Sequence, residues 1–152
     1  QLLRRAKLRL LLDSDGDYEL EEHPLSEVKP MVMLKFASRP VNSHDIFLFH
    51  KTTRRDVYDE ARNDVDHCDD VILWNEKNQL TETTIANLFL EIDGELLTPP
   101  VECGLLAGTY RRYMLEKGRV KEAVVRKSDL VNASKIYVAN SMRGLREARL
   151  VE

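Results

Sequence analysis

At 152 residues the chain is long enough for one domain with a sizeable core. Hydrophobic residues make up 43% and charged residues 32%, and the net charge of −3 comes from interleaved signs, which argues against a nucleic-acid or anionic-membrane partner. No apolar run reaches membrane-spanning length, and a cytoplasmic location is expected. The opening Gln1-Leu2-Leu3-Arg4-Arg5 lacks the apolar core and cleavage site of a secretory signal and reads as a chain caught mid-sequence.

In chain order, Leu8 to Leu12 and Tyr18 to Leu20 flank the turn-rich Asp13-Ser14-Asp15-Gly16, a hairpin signal. Residues 24–40 hold three prolines and little periodicity, so a linker is expected over 26–40, between a hairpin at 1–25 and a main domain at 41–152. Ile46-Phe47-Leu48-Phe49 reads as a short buried strand that delivers His50 and Lys51 at its end. Val57, Ala61 and Val65 recur at helical spacing, which predicts a helix over 55–66. Val71 to Trp74 reads as a buried strand, and Asp93-Gly94 as a tight turn into Glu95-Leu96-Leu97.

Pro99-Pro100 ends that hairpin. A helix is expected from about Gly108 to Gly118 with Tyr110, Tyr113 and Met114 inward, and Ser128-Asp129 reads as a helix cap. Lys135 to Ala139 reads as a strand that ends at Asn140-Ser141. The fold class is α+β, with mixed strands and a few helices. Cys68 and Cys103 share no metal-type spacing with each other or with His23, His44, His50 and His67, so free thiols and no metal site are expected.

Four features stand at element ends, where a scaffold can aim polar groups into a cleft. Lys51, taken alone, is more often a snorkelling surface residue, and its functional alternative is a partly buried amine able to form a Schiff base. Glu82, between Thr81 and Thr83, is often a solvated edge position, although a pyridine cofactor would give it a ring nitrogen to hold protonated. The turn from Gly104 through Gly108 to Thr109 opens a helix, where free N–H groups suit an anion. Asn140-Ser141 could add side-chain donors.

Their wording and order say more than each alone. Phe49-His50-Lys51-Thr52-Thr53-Arg54, then Thr81-Glu82-Thr83-Thr84-Ile85-Ala86-Asn87-Leu88-Phe89, then Gly104-Leu105-Leu106-Ala107-Gly108-Thr109-Tyr110-Arg111 resemble the signature of the class IV aminotransferase family, the fold-type IV pyridoxal-phosphate (PLP) enzymes. Val138 to Leu145 is similar to its closing strand and phosphate loop. The resemblance implies a large pseudo-barrel domain with a remnant of a small N-terminal domain at 1–25, and pyridoxal 5'-phosphate as cofactor. By motif, Lys51 carries the cofactor as a Schiff base and Glu82 contacts its ring nitrogen. Gly108, Thr109 and Tyr110 cradle the phosphate with Ser141, and Asn87 has a structural role only.

Within the family the segments around Lys51 and Asn140 look most like 4-amino-4-deoxychorismate lyases, particularly the form joined to an aminodeoxychorismate synthase component. Asp56 stands where branched-chain aminotransferases usually carry a tyrosine. The resemblance therefore implies conversion of 4-amino-4-deoxychorismate to 4-aminobenzoate and pyruvate, a step of folate synthesis, by a homodimer. A branched-chain or D-amino-acid aminotransferase using the same Lys51 and Glu82 stays open. So does an inactive fragment or interaction domain, because members of the family are longer.

Overall fold

A computed structural model describes residues 6–25 and 27–152; the Gln1 to Arg5 segment and Ser26, the first residue of the expected linker, lie outside the described residues. The expected hairpin forms from β1 (Ala6–Leu12) and β2 (Tyr18–Pro24), antiparallel with Leu12 opposite Tyr18. Asp13 builds its turn by accepting from the N–H groups of Asp15 and Asp17, each at 2.9 Å.

The other strands are β3 (Val32–Phe36), β4 (Asp70–Trp74), β5 (Leu80–Thr83), β6 (Asn87–Ile92), β7 (Glu95–Thr98), β8 (Lys121–Glu122), β9 (Ala133–Asn140) and β10 (Gly144–Leu150). They hydrogen-bond in the order β5-β4-β3-β10-β9-β6-β7-β8, and β5 pairs again with β6. That last pairing, Glu82 opposite Asn87, closes the strands from β5 round to β6 into a pseudo-barrel.

Strand alternation divides the apolar residues between the two faces of this sheet. Leu34, Ile72, Leu80, Leu88, Leu90 and Val138 fill the interior. Val71 and Leu73 point the other way, onto α1 (Asp56–Asn63), where they meet Tyr58, Val57 and Ala61. Phe89 and Ala139 pack against Met114 of α2 (Thr109–Glu116). Each fully buried Leu or Phe contributes about 1.5–3 kcal/mol. Both helices are therefore fixed on the outside of the barrel, and the polar ends they present are held with them.

Several expectations need correction. The stretch 26–40 is not a plain linker, because it contains β3, a strand between β4 and β10 with Val32 and Leu34 buried. Pro30 and Pro40 lie just outside that strand, where a missing N–H costs no ladder bond. Ile46–Leu48 is a 3-10 helix, not a strand, since the Asp45 carboxylate accepts from the Phe47 N–H at 3.0 Å and turns the chain. In α2, Arg111 and Met114 are buried while Tyr113 faces solvent. The 3-10 helix Lys127–Asn132 starts after Arg126, whose N–H is accepted by Asp129 at 2.8 Å, so Asp129 caps from within and Ser128 does not lead. β10 was not foreseen, because Ala148 is its one fully buried residue.

Candidate functional site

Glu82 stands on β5 at the point where the barrel closes, and the residue is 4% exposed. Three donors reach it. The Tyr58 hydroxyl donates to Oε1 at 2.9 Å and the Leu106 N–H to the same oxygen at 3.1 Å. Asn87 Nδ2 reaches Oε2 at 3.3 Å. Among the described residues, Glu82 takes part in none of the ion pairs.

Burial pushes the Glu82 carboxyl up to about 8, against the pull of the Leu106 N–H, the Tyr58 hydroxyl and the charges of Lys51 and Arg55. Burial, and then the nearby Glu82 charge, push the Tyr58 phenol up as well, so it stays a donor. The Arg55 guanidinium lies over the Tyr58 ring, 4.7 Å from its centre, and donates to the Thr84 carbonyl at 2.6 Å. A buried carboxylate without a cation is costly, and a protonated ring nitrogen at Oε2 would relieve that cost.

The turn before α2 is built against the same group. Gly104 takes φ +94° under Ser43, a conformation and a space that only glycine fits easily. Asn87 Nδ2 donates to the Leu106 carbonyl at 2.8 Å, and a Cβ at Gly108 would stand 2.1 Å from Asn87 Oδ1. Gly108 is the N-cap of α2 and no side chain caps the helix. The N–H groups of Thr109 and Tyr110 have no partner among the described residues and point out of the helix start. Such a terminus attracts an anion.

The turn after β9 joins this region. Asn140 Nδ2 donates to the Ile85 carbonyl at 3.1 Å, and its Oδ1 accepts from the N–H groups of Met142 and Arg143. The same turn brings Gly144 beside the Tyr110 ring, and Ser141 is exposed on it. Lys51 is exposed too, in a segment folded on itself by the Arg54 N–H to Thr52 Oγ1 bond of 3.1 Å and by Arg54 stacked on Phe47. It is therefore neither buried nor at a strand end, yet its charge acts on Glu82.

The structure thus joins Glu82, Gly108 and the α2 start through Asn87 and Leu106. It brings the Ser141 turn to Tyr110, and it leaves Lys51 linked to Glu82 by charge alone. Tyr58 and Arg55 were missed as members of the site. Tyr58 stands beside the apolar stripe of an amphipathic helix and reads as core packing, Arg55 is the N-cap just before that helix, and only the fold brings them to Glu82 and to the Thr84 carbonyl.

A pseudo-barrel closed at a buried carboxylate, with an uncapped helix start beside it, has the fold of the fold-type IV PLP enzymes. A family model described as amino-transferase class IV matches residues 18–151, and the chain belongs to that family. A Schizosaccharomyces pombe protein provisionally named an aminodeoxychorismate lyase is 31% identical over 147 residues, covering 91% of this chain and 64% of the relative. The crystal structure of a Mesorhizobium loti protein provisionally named an amino-acid aminotransferase superposes with TM-score 0.91 at 37% identity, covering 96% of this chain and 73% of that one. A Legionella pneumophila structure provisionally named a 4-amino-4-deoxychorismate lyase gives TM-score 0.80 at 25% identity, over 89% of this chain and 53% of that one. The chain thus spans less than two thirds of the curated relative's length. Among the described residues no helix is long and apolar enough to cross a membrane.

Proposed function

We propose that this chain is the cofactor-bearing part of a PLP-dependent lyase that converts 4-amino-4-deoxychorismate to 4-aminobenzoate and pyruvate. The observation that carries it is the buried Glu82 carboxyl, with two hydrogen bonds on Oε1 and a single 3.3 Å contact on Oε2. The residues present fit the cofactor: a carboxylate for a ring N–H, a side-chain-free approach at Gly108, and unpartnered N–H groups of Thr109 and Tyr110 with the Ser141 hydroxyl for a phosphate. When bound, pyridoxal phosphate supplies an electron sink reached through a Schiff base with an amine.

Lys51 Nζ is the amine that would hold the cofactor. Freed, Lys51 removes the proton from the ring carbon that bears the substrate nitrogen, as general base. Glu82 would hold a proton on the ring nitrogen of the cofactor, which is what makes that ring an electron sink. Lys51 then returns a proton to the departing enolpyruvyl oxygen as the substrate ring becomes aromatic, and the enol released ketonises to pyruvate. The same groups serve an aminotransferase, with Lys51 moving a proton between two carbons. The Mesorhizobium likeness favours that second reading. A homodimer, with the site completed by the remainder of a longer chain, accompanies either reading.

The test uses the full-length protein with aminodeoxychorismate and no keto acid. Release of aminobenzoate together with pyruvate supports the lyase, and strict dependence on a keto-acid acceptor overturns it in favour of the aminotransferase. Lys51→Ala should abolish both the activity and the visible cofactor band while leaving stability within about 0.5 kcal/mol, since the side chain is exposed. A band that survives Lys51→Ala removes Lys51 from its role.

A further inference from the structure

We propose that Tyr58 is the positioning residue of the ring-nitrogen contact: its hydroxyl weakens the hold of Glu82 on a proton and leaves Oε2 as the oxygen turned to the cofactor. This rests on the assignment of Glu82 to the ring nitrogen.

The geometry gives Glu82 two unequal oxygens. Oε1 takes two well-formed hydrogen bonds, from Tyr58 at 2.9 Å and Leu106 at 3.1 Å. Oε2 has the single 3.3 Å contact from an Asn87 amide that already donates to Leu106 at 2.8 Å. The oxygen with spare accepting capacity is therefore Oε2. Tyr58 is 8% exposed on the inner face of α1, packed with Val71 and Leu73 and covered by Arg55, so its hydroxyl is held where it is.

A carboxylate facing a pyridine nitrogen competes with it for one proton. Donors to the carboxylate weaken its hold, and the proton then stays on the nitrogen. The charged and titratable groups that act on Glu82 are Tyr58 and Arg55 from the α1 side and Lys51 from the segment before it. β6 and the turn before α2 contribute the Asn87 amide and the Leu106 N–H. Of these, Tyr58 alone is a neutral side-chain hydroxyl aimed at an oxygen of Glu82, and its ring lets Arg55 sit close without forming an ion pair.

The experiment loads the full-length protein with pyridoxal 5'-phosphate labelled with nitrogen-15 in the ring, and reads the ring-nitrogen chemical shift and the dissociation constant. Tyr58→Phe keeps the packed ring and the Arg55 stack, and its melting temperature reports separately on the fold. The expected result is a shift moved toward the unprotonated pyridine value and a dissociation constant raised about tenfold. Glu82→Gln should give the unprotonated value outright. A wild-type shift and affinity in Tyr58→Phe, with the proton lost in Glu82→Gln, overturns the role of Tyr58 and leaves Glu82 in place. A wild-type shift in Glu82→Gln overturns the Glu82 assignment, and the role of Tyr58 with it. A lower melting temperature in Tyr58→Phe without any change at the ring nitrogen reduces Tyr58 to packing and also overturns the proposal.

Discussion

Gly108 and Asn87 touch so closely that a Cβ on the glycine would lie 2.1 Å from Asn87 Oδ1. Gly108 has φ −64° and ψ 145°, which any residue can adopt, so the constraint is space and not backbone freedom. Asn87 has no easy retreat, being 5% exposed and tied to Leu106 and Glu82. Gly108→Ala should cost about 1–3 kcal/mol in a denaturant titration and weaken pyridoxal phosphate binding. Combining it with Asn87→Ala removes the clash, so the double variant should lose less than the sum of the singles. Additive losses would show that the two residues do not press on each other.

Glu82 also sets a pH dependence of stability. Its folded carboxyl is pushed up to about 8 by burial, above the ordinary 4.5 of a free glutamate, so between those limits the folded state holds a proton that the unfolded chain has released. Its contribution is thus fully present below about pH 4.5 and is lost as pH rises through about 8. Without cofactor, wild type should lose a few kcal/mol relative to Glu82→Gln as pH rises across that window. Chemical denaturation at several pH values checks this, and a constant difference would place the Glu82 proton elsewhere.

Most of the frame was legible because strand and helix periods are written in apolar residues. The β4 run, the Asp93-Gly94 turn and the Gly108 helix start all fall where the pattern predicts them. The misses share a cause, which is a local rule overruled by a neighbour. Prolines around residue 30 and at residue 40 hid β3, which gains its place by pairing with β4 and β10 on either side. The apolar Ile46 to Phe49 run looked like a strand until the Asp45 cap turned it into a helix. Lys51 stands out by motif alone, whereas its exposure in a folded-back loop follows from the fold. Tyr58 carried no motif, and its contact with Glu82 spans 24 residues of sequence.

The phosphate seat has its own test. Ser141 is exposed, so Ser141→Ala should change stability by under about 0.5 kcal/mol. If its hydroxyl faces the phosphate, the variant should bind pyridoxal 5'-phosphate several-fold less tightly and pyridoxal, which has no phosphate, as wild type does. Equal losses for both ligands would remove Ser141 from the seat.

A second buried carboxyl, Asp70, holds the β5–β6 turn. Asp70, 4% exposed, accepts on Oδ1 from Thr84 Oγ1 at 2.6 Å, from the Thr84 N–H at 3.2 Å and from the Val71 N–H at 2.8 Å. The Thr84 carbonyl in turn receives Arg55, so this turn anchors the cation that covers Tyr58. Thr84→Val keeps the shape and removes one donor from a buried carboxylate, which should cost about 1–3 kcal/mol. Thr84→Ser keeps the donor and should lose much less. Because the Arg55 contact is to the main chain, both variants should bind pyridoxal phosphate with nearly wild-type affinity once folded. A binding loss in Thr84→Val at unchanged stability would mean that the hydroxyl serves the cofactor site directly and does not brace the turn.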